Sequence, residues 1–156
     1  MLEITILAVG KIREKAIAGL CAEYAGRIER QGHTVRTVEV RDEPGDRSEK
    51  QVLAAEAERI RAKLQAGAFV AALDREGKSL DSRELAGWLG RLAESGRQRL
   101  CFVIGGPLGL DRSLAGRCDF SLSLSKMTLP HELARLVLLE QLYRANTILR
   151  GEPYHK

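Results

Sequence analysis

The feature of this 156-residue sequence that most constrains its fold is a regular alternation of apolar runs with longer stretches of helical periodicity. Five runs are typical of β-strands: residues 2–9, 34–40, 69–73, 100–104 and 120–124. Helices are predicted over about residues 13–30, 48–65, 81–96, 111–115 and 130–149, and a charged turn over 74–78. This alternation predicts an α/β fold of three layers, a mainly parallel sheet with helices on both faces.

Length and composition favour one compact domain that spans residues 1–156. A chain of this length can bury a core without disulfide or metal staples, and no linker, repeat or low-complexity segment divides it. Hydrophobic residues make up 44% but aromatic residues only 4%, so a base-stacking platform for single-stranded RNA is disfavoured. The net charge of +4 is compatible with a nucleic-acid partner without requiring one.

The cysteines and the first residues favour a reduced, cytoplasmic protein. Cys21, Cys101 and Cys118 are widely spaced, and no Cys/His cluster has the spacing of metal ligands, so we expect no metal site. Residues 1–10 are typical of a strand rather than of a signal peptide. No apolar stretch approaches the ~20 residues that span a bilayer, so no membrane partner is expected.

A glycine-rich loop, residues 104–109 (IGGPLG), follows the fourth predicted strand. Gly105, Gly106 and Gly109 allow a tight turn and a close approach of backbone to a ligand. A turn between strand and helix would use the same residues, and taken alone it is the more economical interpretation. The loop matches neither GxxxxGK[ST] nor GxGxxG, which disfavours an ordinary nucleotide or dinucleotide fold.

A second loop, residues 123–131 (SLSKMTLPH), precedes the last predicted helix. Backbone groups near Leu124, Lys126 and Leu129 could hold the edge of an adenine ring. A helix cap with Thr128 as the N-cap is the alternative, and the two interpretations are compatible. Because loops at the carboxyl ends of strands usually bind the ligand of an α/β sheet, we expect both loops to share one small-molecule pocket.

The last helix and the tail carry more apolar and titratable groups than a frayed terminus needs. Apolar residues cover much of the helix circumference, so either other helices or a second subunit must cover it, and in so small a domain we expect a symmetric dimer. The tail ends in Pro153-Tyr154-His155-Lys156, and a disordered end is the alternative there. Together with Arg144, Tyr154 and His155 could form the polar wall of a pocket.

The whole chain resembles the RlmH family of ribosomal RNA large-subunit methyltransferases, small members of the SPOUT class. The matching stretches are residues 8–11, 72–74 with 77–78, 104–107, 123–131, 139–145 and 151–156. The resemblance implies an α/β fold with a C-terminal trefoil knot. No spacing in the sequence predicts a knot, since knots are essentially absent from ordinary folds.

The resemblance also implies S-adenosylmethionine (SAM) as methyl donor, bound in the knot. The family residues that hold this cofactor correspond to Leu73, to Gly105 and Gly106 of the glycine loop, and to the loop before the last helix. That loop contributes Leu124, Ser125, Lys126, Met127, Thr128 and Leu129. Pro107 stands where some relatives carry Ser, a departure that affects no essential position.

For the reaction, the resemblance implies methyl transfer to N3 of a pseudouridine in 23S ribosomal RNA within the ribosome. It implies a homodimer in which the tail of one subunit completes the site of the other. We expect Arg144, Tyr154 and His155 to contact the target nucleotide, and His155 or Tyr154 to assist in removing the N3 proton. His131 is a weaker candidate that could only cap or orient.

Three alternatives remain open at this point. A SPOUT methyltransferase could act on another RNA, such as a tRNA. A ribosome-binding module without catalysis would bind no SAM. A nicotinamide-dependent oxidoreductase is disfavoured by the missing GxGxxG motif.

Overall fold

The computed structural model describes residues 1–156 and contains five strands and five helices in the predicted alternating order. The strands are β1 (Glu3–Val9), β2 (Thr34–Val40), β3 (Phe69–Ser79), β4 (Arg99–Ile104) and β5 (Phe120–Ser123). The helices are α1 (Lys15–Arg30), α2 (Glu49–Arg61), α3 (Ser82–Glu94), α4 (Arg112–Arg117) and α5 (His131–Leu149). No helix is both long and apolar enough to cross a membrane.

The five strands form one parallel sheet in the order β2-β1-β4-β3-β5. Side chains of β1 pack alternately into two separate hydrophobic cores. Ile6 packs in the core shared with α1, α3 and α5, whereas its neighbour Leu7 packs in the core shared with α2 and α4. This period of two places helices on both faces of the sheet, and the prediction of a three-layer α/β fold is confirmed.

Side-chain caps explain where three of the helices begin. Ser48 and Asp81 each form a capping box with the residue three positions later, as the sequence predicts for Ser48. α1 begins at Lys15 rather than near Arg13, because the Glu14 carboxylate accepts a hydrogen bond from the Ala16 N–H and acts as the N-cap. α2 ends at Arg61, before the predicted end at residue 65.

The predicted turn at residues 74–78 is wrong, since β3 continues through this segment to Ser79. Leu73 and Lys78 both pair with Leu122, so the residues between them leave the ladder and form a bulge. We call residues 74–77 the β3 bulge. Gly77 brings the bulge against β5: a Cβ there would lie 2.7 Å from the carbonyl carbon and oxygen of Ser121.

Thr128 does not cap the last helix, so this prediction is also wrong. Pro130 is the N-cap of α5 and makes no side-chain cap hydrogen bond. The Thr128 hydroxyl instead accepts a hydrogen bond from Arg75 Nη1 at 3.1 Å. The loop before α5 is thereby tied to the β3 bulge.

α5 lies between α1 and α3 on one face of the sheet, and these helices cover most of its apolar circumference. Leu138, Leu139 and Leu142 are fully buried, whereas Leu133 is 37% exposed and Leu149 49% exposed. Most of the apolar surface of α5 is therefore covered by other elements of the same chain. The apolar pattern of α5 alone does not require a second subunit.

Candidate active site

The main pocket lies at the carboxyl ends of β3, β4 and β5 and has a volume of about 800 Å³. Its walls are the β3 bulge with Leu73, residues 104–110 after β4, and the loop between β5 and α5. β4 and β5 both flank β3 in the sheet, so their parallel ends meet at one edge. This is the edge at which ligands of α/β sheets usually bind.

The glycine loop has no room for side chains at its most buried point. A Cβ at Gly105 would lie 2.3 Å from the Gly109 carbonyl oxygen, closer than any real contact. The Gly109 N–H donates to the Gly106 carbonyl at 2.9 Å, and Gly109 has a φ of +81° that favours glycine. These contacts fold the loop back on itself, so its backbone forms the pocket wall.

The loop between β5 and α5 presents unpaired backbone donors. Ser123 Oγ donates to the Ser125 carbonyl at 3.1 Å, and the Met127 N–H donates to Ser125 Oγ at 2.9 Å. The N–H groups of Lys126, Thr128 and Leu129 donate to no acceptor in the protein. Such donors could bind the polar edge of a planar heterocycle.

The charged side chains of the pocket lie on the β3 bulge and at the start of α4. Arg112 Nη1 donates to Asp74 Oδ2 at 2.7 Å, and Arg75 donates to Thr128 as described above. His131, at the start of α5, also lines the pocket, and its Nδ1 is buried without a hydrogen-bond partner. No group of three or more His, Cys, Asp or Glu side chains in residues 1–156 could hold a metal ion.

A second cluster of functional side chains lies near the other end of α5. We call Glu140, Arg144, Tyr154 and His155 the tail cluster. The Glu140 carboxylate accepts hydrogen bonds from Arg144 Nη2 at 2.6 Å, Arg144 Nε at 3.0 Å and the Tyr154 hydroxyl at 3.1 Å. The Arg144 guanidinium also lies 4.8 Å from the centre of the Tyr154 ring. These contacts hold the tail on α5, so it is an ordered part of the fold.

The contacts of the tail cluster bear on proton transfer. Arg144 Nη1 lies 3.2 Å from His155 Nδ1, and since a guanidinium can only donate, Nδ1 is the acceptor of this contact. The pKa of Tyr154 is raised well above its ordinary value, chiefly by burial, and further by its contacts with the Tyr24 phenol and the Glu140 carboxylate. Tyr154 is therefore a hydrogen-bond donor at neutral pH.

The pocket and the tail cluster do not meet within one chain. His131 and Arg144 are 13 residues apart on α5, which at 1.5 Å per residue separates them by roughly 20 Å. None of Arg144, Tyr154 and His155 lines the pocket. A site that uses both regions must therefore combine two copies of the chain.

Comparison with known proteins agrees with this arrangement of loops and helices. The family model described as "Predicted SPOUT methyltransferase" matches residues 2–155. The chain belongs to the SPOUT methyltransferase family.

Curated relatives of this SPOUT methyltransferase match it from end to end. The ribosomal RNA large subunit methyltransferase H of Carboxydothermus hydrogenoformans is 46% identical over 160 residues, covering 99% of this chain and 100% of that protein. The protein of the same name from Acetivibrio thermocellus is 47% identical, with the same coverage. The resemblance identified from the sequence motifs is thereby confirmed.

Two solved structures share the fold of this SPOUT methyltransferase at low sequence identity. A probable methylase family protein from Haemophilus influenzae has a TM-score of 0.53 and 15% identity, covering 99% of this chain and 70% of that chain. A probable methyltransferase from Bordetella pertussis has a TM-score of 0.53 and 18% identity, covering 92% and 95%. At this identity they support the fold alone.

The structure brings together nearly all of the cofactor residues predicted for this SPOUT methyltransferase. The pocket is lined by Leu73, Gly105, Gly106, Leu124, Ser125, Met127, Thr128 and Leu129. Lys126 does not line it, and its side chain is exposed. The three predicted catalytic residues also lie together, but in the tail cluster and away from the pocket.

Sequence reasoning missed three groups of residues at or beside these sites. Glu140 precedes Arg144 by four residues on a predicted helix, a spacing that could have identified the pair. Asp74 and Arg112 are 38 residues apart, and nothing local in the sequence links them. Glu56, on α2, was also missed: it is buried beside Gly106, and burial raises the pKa of its carboxyl.

Proposed function

We propose that this SPOUT methyltransferase uses SAM to methylate N3 of a pseudouridine in 23S ribosomal RNA. The observation that carries the proposal is the convergence of three loops in one pocket at the carboxyl ends of β3, β4 and β5. The name shared by the curated relatives, ribosomal RNA large subunit methyltransferase H, supports the substrate class. SAM is the methyl donor that SPOUT methyltransferases generally use.

The residues of the pocket fit this cofactor. The volume of about 800 Å³ lies in the range of ligand sites, roughly 300–1,000 Å³. The missing side chain at Gly105 lets the glycine loop pack against Gly109, which holds this backbone in place as a wall of the pocket. The free N–H groups of Lys126, Thr128 and Leu129 would bind the acceptor edge of the adenine, with Leu73 and Leu124 against its faces.

The chemistry divides between the cofactor and the tail cluster. The cofactor supplies a methyl group on a sulfonium, whose sulfur keeps the bonding electron pair when the methyl passes to N3. The N3 proton must leave, and we assign its removal to His155, whose Nδ1 lone pair becomes available once Arg144 bonds to the RNA instead. Arg144 and the Tyr154 hydroxyl would hold the nucleotide by donating to its oxygens.

The separation of the two regions supports a homodimer with shared sites. Roughly 20 Å of α5 lies between His131 and the tail cluster, so each cluster would serve the pocket of the partner subunit. Symmetric dimers use the same surface twice, so this arrangement gives two equivalent sites. A site in the cytoplasm, where ribosomes are assembled and modified, fits this substrate.

The strand order supports the trefoil knot that the family resemblance implies. β4 follows β3 in sequence but lies between β1 and β3, and β5 lies beyond β3 at the edge. From that edge the chain returns to the middle of the sheet as α5, passing the β3 bulge that contacts it through Arg75 and Thr128. We propose that this return threads the chain through the loop made by β3 and β4.

The test is methylation of ribosomes from a strain that lacks this gene. Incubation with labelled SAM should label 23S RNA at one pseudouridine, with bulk tRNA unlabelled in a parallel reaction. Label on tRNA instead would favour a SPOUT enzyme for another RNA. Absence of both labelling and SAM binding would favour a ribosome-binding module without catalysis.

A further inference from the structure

The pocket carries charges of both signs at one place, on the β3 bulge and the start of α4. Asp74, Arg75, Glu76 and Arg112 all line it, whereas much of the remaining wall is glycine and aliphatic side chains. An adenosyl group has no charge to pair with these side chains. The charged part of the pocket therefore needs a different part of the ligand.

The Arg112 guanidinium is held in one orientation. Its Nη1 donates to Asp74 Oδ2 at 2.7 Å, and its Nε and Nη2 donate to the Leu110 carbonyl at 3.3 and 3.1 Å. Two of its five N–H groups remain without a protein partner. The Arg112 side chain is 61% exposed whereas that of Asp74 is only 12% exposed, so the carboxylate is the fixed partner.

Arg75 has more unused donors. Its only hydrogen bond to the protein runs from Nη1 to the Thr128 hydroxyl at 3.1 Å, so four of its five N–H groups are free. That bond ties Arg75 to the loop whose backbone would bind the adenine. Arg75 and Arg112 thus line the same pocket with free guanidinium donors. Asp74 is next to Arg75 in the sequence and accepts a hydrogen bond from Arg112.

We propose that Arg75 and Arg112 bind the carboxylate at the amino-acid end of SAM, and that Asp74 is a positioning residue for Arg112. The proposal rests on SAM as the cofactor proposed above. Guanidinium groups are matched to carboxylates in geometry and charge, and they form the stronger class of hydrogen bonds. The Asp74 pairing restrains Arg112 before the ligand arrives, which lowers the entropy lost on binding.

The test compares SAM with decarboxylated SAM by calorimetric titration, because the two ligands differ only in the carboxylate. The wild-type protein should bind SAM at least about tenfold more tightly, the scale of one hydrogen bond between charged groups. Arg75→Met and Arg112→Met should each weaken SAM by about tenfold. Decarboxylated SAM should bind these variants equally well or better, since a cationic ligand gains from the loss of a nearby guanidinium.

Two further variants separate a direct contact from a structural effect. Arg117→Met is the matched control, since Arg117 lies on the same helix and does not line the pocket, and both affinities should stay at the wild-type value. Arg112→Lys keeps a cation without the guanidinium fork. Its preference for SAM over decarboxylated SAM should therefore lie between those of the wild-type and Arg112→Met proteins.

Equal wild-type affinity for the two ligands would overturn the carboxylate site while leaving SAM as the cofactor. Equal weakening of both ligands by Arg75→Met and Arg112→Met would reduce the two arginines to a structural role, and would also overturn it. If neither ligand bound the wild-type protein, the proposed cofactor itself would be wrong, and this inference with it.

Discussion

The pocket and the tail cluster are built from different parts of the chain. Around Gly105 and Gly106 the pocket wall is backbone, and its shape depends on the absence of side chains at these positions. The tail cluster consists of four side chains: Arg144 and Tyr154 donate hydrogen bonds to Glu140, and His155 contacts Arg144. Substitutions should therefore damage the pocket by adding atoms and the tail cluster by removing them.

The largest expected effect is on turnover, from His155→Ala. Loss of a general base typically slows a reaction by about 10²–10⁴-fold, and we expect methyl transfer to fall by that order. SAM affinity should change less than about twofold, since His155 is assigned to the nucleotide and not to the cofactor. Single-turnover methylation and calorimetry measure the two quantities. A parallel loss of SAM affinity would contradict the separation of the two regions.

Gly105→Ala should have the opposite pattern. The new Cβ would lie 2.3 Å from the Gly109 carbonyl oxygen, so the loop must shift, and a shift of about 1 Å in a binding wall can reduce function about 100-fold. We expect SAM binding to weaken on that scale while the tail cluster remains intact. Gly116→Ala is the matched control, because a Cβ at this α4 position meets nothing within 4 Å. Wild-type SAM affinity in Gly105→Ala would show that the loop does not form the binding wall.

A smaller effect concerns the ionisation of Tyr154. Its pKa is raised in the folded protein, whereas an unfolded tyrosine ionises near pH 10. The neutral Tyr154 phenol therefore contributes to the stability of the folded state. This contribution is fully present below pH 10 and is lost as the pH rises above it. Alkaline titration followed by phenolate absorbance should be the same for wild-type and Tyr154→Phe proteins up to about pH 11, because Tyr154 stays neutral over this range. A smaller transition near pH 10 in the variant than in the wild-type protein would show that Tyr154 is not buried in the tail cluster.

Local patterns predicted most of the fold because the strands and helices have strong periodicity. The sequence could not predict the β3 bulge, since residues 74–78 are polar with a glycine and locally favour a turn. Pairing with Leu122, more than 40 residues away, overrides that preference. Thr128 has the local chemistry of an N-cap, yet its hydroxyl is taken by Arg75, again a contact distant in sequence.

The parts of the candidate site that residue composition alone identifies could be predicted from the sequence. The glycine loop and the segment before α5 could be found from residue type, and they line the pocket. The ion pair of the pocket, Asp74 and Arg112, could not be found from residue type, because these residues meet only after β3 and β4 pair. Motifs also placed Arg144, Tyr154 and His155 in one site but could not reveal how far they lie from the cofactor loops.

The most direct test of the shared site is complementation between two inactive variants. Gly105→Ala subunits keep an intact tail cluster, and His155→Ala subunits keep an intact pocket. If each tail serves the partner's pocket, mixed dimers contain one complete site. Random mixing should then restore about one quarter of the wild-type turnover. Half of the dimers are mixed, and each mixed dimer has one complete site out of two. Turnover that stays at the level of the single variants would contradict the account, because each site would then belong to one chain.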